Sequence, residues 1–101
     1  MPVFGEIINT KIPVLITFCA DWHYLSEQIN VILREVSIVM GDDAKIIKMD
    51  VDKNRELTKA FQINGLPTFI LYYLGDVVWR EEGVDSADIL IEKIQKYTKK
   101  E

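Results

Sequence analysis

Three features of the sequence predict one α/β domain built on a mixed four-stranded sheet with helices on both faces. Pro13 opens Val14-Leu15-Ile16-Thr17-Phe18-Cys19-Ala20, a continuous apolar run rich in β-branched and aromatic residues, as a strand buried on both faces requires. A long helical pattern and a second strand-like run follow, so this part reads as a βαβ unit with parallel strands and a right-handed crossover. Two more apolar runs then follow so closely upon one another that they must pair as an antiparallel hairpin.

The elements follow in chain order. Phe4, Ile7 and Ile8 have the i, i+3, i+4 spacing of a short amphipathic helix that ends near Asn9-Thr10-Lys11. After the central strand, Asp21 is read as the N-cap of a helix of about five turns. Its apolar face is Leu25, Ile29, Ile32, Leu33, Val36 and Met40, and Gly41 ends it. Lys45 to Val51 forms the second strand, with Asp52-Lys53-Asn54 capping a shorter helix marked by Leu57, Ala60 and Phe61. Asn64-Gly65 turns into a third strand, Leu66 to Leu74, whose Pro67 sits at the start, where a missing ladder donor costs least. Gly75 links it to Val77-Val78-Trp79-Arg80-Glu81, and Gly83 ends that strand. Ser86, Ile89, Leu90, Ile94 and Tyr97 mark a last helix that finishes in a solvated tail, Lys99-Lys100-Glu101.

Length and composition narrow the function classes. A chain of 101 residues with 49% apolar residues can bury one compact core without disulfides or metal. No apolar run approaches the roughly 20 residues a bilayer span needs. The first six residues carry no basic region and no apolar core, so no signal peptide is expected. The net charge of −4 is interspersed, with no basic patch to track a phosphate backbone, so neither nucleic acid nor membrane is an expected partner. One cysteine forbids an intrachain disulfide and suits a reducing compartment, with the cytoplasm as the expectation.

The order of elements, with a proline opening the hairpin, resembles the thioredoxin family over nearly the whole chain and lacks only that family's first edge strand. Phe18-Cys19-Ala20-Asp21-Trp22 is similar to the family's Phe-x-Ala-x-Trp lead-in, Lys48-Met49-Asp50-Val51-Asp52 to its lysine-bearing strand, and Gly65-Leu66-Pro67-Thr68 to its cis-proline loop. Gly75 and Gly83 stand at the family's hairpin and pre-helix glycines. The compact N-terminus and Trp79-Arg80-Glu81-Glu82-Gly83 resemble short bacterial thioredoxins. The resemblance implies a thioredoxin-like fold, a cis bond at Leu66-Pro67 and a role in cell redox homeostasis.

The departures gather where that family's chemistry lies. His23 and Ser26 occupy the two cysteine positions, and Tyr24 and Leu25 replace the intervening glycine and proline. Thr17 matches the family's buried aspartate, which leaves Lys48 without its carboxylate neighbour, and Val31 matches the helix-kinking proline. Dithiol exchange needs a thiolate nucleophile and a second thiol that resolves the mixed disulfide, and neither imidazole nor hydroxyl supplies a sulfur. The changes read together as a native sequence that no longer exchanges dithiols; the alternative is an engineered active-site variant of a redox-active parent.

Each candidate also has a plain structural role. Cys19 could serve as a one-thiol oxidoreductase, with exposure implied by the aromatic usually found there, or could be an inert small apolar residue at the end of a buried strand. His23 lacks a triad or carboxylate partner for acid–base work, and Ser26 reads more simply as a helix-surface residue or a first-turn backbone acceptor. Cys19, Asp21 and His23 lie within five residues but lack the paired loci of structural zinc sites, so neither metal nor cofactor is expected. Trp22 suits partial core packing. With Tyr24, Leu66 and Pro67 it would also make an apolar surface for a polypeptide partner, joined by backbone pairing in the proline loop. The chain is therefore expected to be a monomeric, non-catalytic peptide-binding module.

Overall fold

The computed structural model describes residues 4–83 and 86–98. In chain order it contains helix α1 (Phe4–Ile8), strand β1 (Val14–Cys19), helix α2 (Ser26–Met40) and a 3-10 turn (Gly41–Asp43). Strand β2 (Lys45–Asp50), helix α3 (Arg55–Ala60), strands β3 (Thr68–Tyr73) and β4 (Asp76–Glu82), and helix α4 (Ala87–Gln95) follow. The expected tail, residues 99–101, lies outside the described residues.

The four strands form one sheet in the order β2-β1-β3-β4. β1 runs parallel to β2, with Val14 opposite Lys45 and Cys19 opposite Asp50, and antiparallel to β3, with Phe18 opposite Thr68. All six β1 residues are buried, as two covered faces require. Alternate side chains go to opposite layers. Leu15 and Cys19 join Phe69 and Leu71 beneath α2 and α4, whereas Val14, Ile16 and Phe18 join Ile70 and Tyr72 beneath α1 and α3. In the second layer Phe61 packs against Phe4 and Phe18 at ring separations of 5.2 and 6.0 Å.

Several boundaries differ from the sequence reading. α2 begins at Ser26, not after Asp21, because residues 21–25 are taken up in consecutive turns. Its buried face is Ile29, Ile32, Leu33, Val36 and Met40, as the spacing predicts. Asn54 precedes α3 without a side-chain cap, since its amide donates to the Asp50 carbonyl instead. Ala60 and Ile89 lie on solvent faces, while Ala87, Leu90 and Ile94 carry the buried side of α4. The β3–β4 turn places Leu74 and Gly75 both at positive φ, 54° and 87°, a combination suited to tight hairpins. A bulge beside Leu71 and Tyr72 bends the ladder.

Two substitutions separate core packing from local capping. Leu71→Ala, at a site with no solvent exposure, is expected to cost about 2–5 kcal/mol. The Ser86 hydroxyl accepts the Ile89 N–H at 3.3 Å, and Ser86→Ala is expected to cost only about 1 kcal/mol. Urea unfolding of both variants checks the ranking, and equal losses would contradict it.

Candidate functional site

The candidate site is built at one end of the sheet. β1 and β2 are parallel, so the turn after Cys19 and the loop after Asp50 leave from the same edge. β3 is antiparallel to β1 with Thr68 opposite Phe18, so Leu66 and Pro67 enter beside that turn. Strand register alone thus gathers Trp22 to Ser26, Val51 to Asn54 and Gly65 to Pro67.

The turn holds itself by short-range bonds. The His23 N–H donates to the Ala20 carbonyl at 3.1 Å, and the Ser26 N–H to the His23 carbonyl at 3.0 Å. The Leu25 N–H donates to His23 Nδ1 at 3.2 Å. The Ser26 hydroxyl donates to the Asp21 carbonyl at 3.2 Å. His23 therefore precedes the helix, which corrects its expected place in the first turn after Asp21, and Ser26 is the first helical residue. Their side chains are engaged in closing the turn.

Trp22, His23 and Tyr24 form a surface ladder of rings. Trp22 and His23 are 6.0 Å apart and tilted, while His23 and Tyr24 stack at 4.8 Å with 25° between planes. Trp22 is 68% exposed and Tyr24 86% exposed. Partial core packing for Trp22 is thus corrected: its indole N–H donates to Asp52 Oδ2 at 2.7 Å and is held from the side. Asp50 supports that loop, because its carboxylate accepts the Asp52 N–H at 2.8 Å and its carbonyl accepts the Asn54 amide at 2.9 Å. Sequence reasoning took Asp52 and Asn54 for helix-capping residues and missed Asp52 as the anchor of the tryptophan.

The Leu66–Pro67 bond is cis. Thr68 Oγ1 donates to the Gly65 carbonyl at 2.7 Å, and the Gly83 N–H donates to the Pro67 carbonyl at 2.8 Å. These bonds pin the loop on both sides of Leu66. Among the described residues, neither the N–H nor the C=O of Leu66 takes a partner. Leu66 is partly exposed, but Pro67 is buried, which corrects its assignment to the outer surface.

Cys19 is 3% exposed, which agrees with its reading as a small apolar residue at the end of a buried strand and goes against the exposure implied by the resemblance. β1 keeps it inside the α2–α4 layer, with the thiol 3.9 Å from the Met49 carbonyl. Burial pushes the thiol pKa up, partly offset by the positive charge of Lys48, so the reactive thiolate is disfavoured. Thr17 is fully buried, and its hydroxyl has no partner among the described residues. Lys48, next to Thr17 across the ladder, turns its ammonium to the Asn30 amide oxygen at 2.7 Å. Among the described residues, no three His, Cys, Asp or Glu side chains gather where they could hold a metal ion. No helix among them is long and apolar enough to cross a membrane.

Comparison with known proteins agrees with this architecture. The thioredoxin family model matches residues 2–96. A chloroplastic thioredoxin Y of Oryza sativa is 36% identical over 93 residues, covering 91% of this chain and 55% of the relative. A thioredoxin-like protein of Synechocystis is 34% identical over 93 residues, covering 91% of this chain and 89% of the relative. The chain spans about half the length of the chloroplastic relatives it matches. Among solved structures, a mutant thioredoxin from Halobacterium salinarum aligns with a TM-score of 0.82 at 28% identity, covering 94% of this chain and 82% of that one. Chloroplastic thioredoxin z gives 0.81 at 26% identity, covering 91% and 85%. With its mixed sheet, flanking helices and a family match over almost its full length, the chain belongs to the thioredoxin family.

Proposed function

We propose that this thioredoxin-family chain binds an extended segment of a polypeptide partner at the sheet end bearing Trp22, Tyr24 and Leu66, and does not carry out dithiol exchange. The observation that carries the reading is the open backbone of Leu66 close to an exposed aromatic ladder. An extended peptide pairs with free N–H and C=O groups without needing a thiol, and exposed rings add apolar contact on either side. With one cysteine in the chain, no second thiol is present to resolve a mixed disulfide. His23 and Ser26 take the dithiol positions by resemblance and are used in closing the turn. Buried Cys19 does not favour the one-thiol alternative. A reducing compartment suits such a chain, with the cytoplasm as the first reading.

Two measurements test this proposal. Partner affinity, read by calorimetry on a partner captured from the host, is expected to fall at least about tenfold in Tyr24→Ala and in Leu66→Ala, as removal of an interface anchor does. Unchanged affinity in both would place the binding surface elsewhere. Oxidised glutathione should leave Cys19 unmodified in the folded protein by mass spectrometry, and rapid adduct formation would restore the one-thiol reading. The same thiol sets a pH trend. Its folded pKa is raised from an ordinary 9.0, so the stability tied to the neutral thiol is complete below that pH and is lost as pH rises through the folded value. Cys19→Ala should therefore flatten part of the alkaline fall in stability.

A further inference from the structure

The open edge of β2 forms a second surface, independent of the aromatic turn. Among the described residues, β2 is the last strand of the sheet and is paired only with β1. The Lys45 N–H donates to the Pro13 carbonyl and the Val51 N–H to the Cys19 carbonyl. Parallel ladders alternate, so the odd-numbered residues between these two bonds face β1 and the even-numbered ones face outward. Among the described residues, Ile46 and Lys48 thus present N–H and C=O groups without a partner along the edge, whereas the Asp50 carbonyl is already taken by Lys53 and Asn54.

A groove of about 350 Å³ runs beside this edge, between β2 and α2. Leu33 and Ile46 make its apolar floor, and Asn30, Arg34, Ser37 and Lys48 line it. Lys48 uses one ammonium donor on Asn30, and the Arg34 guanidinium has no partner among the described residues. Exposed Lys45 adds a third cation at the start of the edge. Two such edges from two copies would bring lysine against lysine, which opposes self-pairing. A strand bearing carboxylates meets the opposite condition.

We propose that the β2 edge docks an extended acidic segment of another polypeptide by strand addition, with backbone bonds to Ile46 and Lys48 and a carboxylate between Arg34 and Lys48. An apolar side chain of the same segment would lie over Ile46.

The probe is a capped peptide of alternating valine and glutamate, roughly six residues long, the length of an average strand. With saturating peptide, hydrogen exchange at the Ile46 and Lys48 amides should slow on the order of tenfold. The double variant Arg34→Glu/Lys48→Glu should weaken binding at least about tenfold, and added salt should weaken binding to the unaltered protein. Two control peptides, one with lysine for glutamate and one N-methylated at alternate residues, should bind far more weakly. Unchanged exchange at Ile46 and Lys48, or equal binding of either control, would overturn the proposal. Sedimentation of the protein alone adds a further check. A dimer that dissociates in the double variant would assign the edge to a second copy and likewise overturn it; a monomer at all concentrations supports it.

Discussion

β1 has no solvent face, and that constraint governs the rest of the molecule. Its side chains alternate between two layers, so each residue must fit one of two separate cores and a slip by one position would exchange them. Because β1 lies between β2 and β3, its register also fixes theirs. Parallel pairing with β2 requires a crossover, which α2 supplies while covering one layer. The other layer is covered by short α1 and α3, where Phe4 and Phe61, the residue just after α3, pack against one another and against Tyr72 and Phe18 of the sheet.

The functional end of the sheet follows from the same register. Three chain segments distant in sequence come together where β1 and β2 finish and β3 begins, and each is held by bonds that leave part of it free. Asp52 restrains the Trp22 indole at its nitrogen and leaves the ring in solvent. Thr68 and Gly83 fix the proline loop around Leu66 without using its own polar groups. Preordered but unsatisfied groups of this kind lower the cost of binding, because little side-chain or loop freedom remains to be lost. Asp50 joins the two proposed surfaces, since it ends the open edge of β2 and supports the loop that carries Asp52.

Most of the fold was legible in the sequence because its signals are periodic. The uninterrupted run from Val14 specified a doubly buried strand, and the spacing from Ile29 to Met40 specified the helix face that covers it. The start of α2 was misread because Asp21 has the chemistry of a cap; the structure uses its carbonyl for Ser26, a bond between groups five residues apart that no periodicity announces. Asp52 was missed for a related reason. Its partner Trp22 lies thirty residues earlier, and only the parallel register of β1 and β2 brings the two together. Cys19 illustrates a further limit: a strand end is where exposure changes within one residue, so composition cannot say on which side a thiol falls.

Thr17 sits in the middle of β1 with a buried hydroxyl that has no partner among the described residues. Such a group costs about 1–3 kcal/mol when left unmade. Its ladder neighbour Lys48 directs its ammonium to Asn30 on α2 instead of to this hydroxyl. The centre of the sheet thus holds one of two buried hydroxyls without a partner among the described residues, the other being that of Tyr72 on β3. The strand that organises the fold tolerates a polar defect at its midpoint and is held in place by the ladders on either side of it.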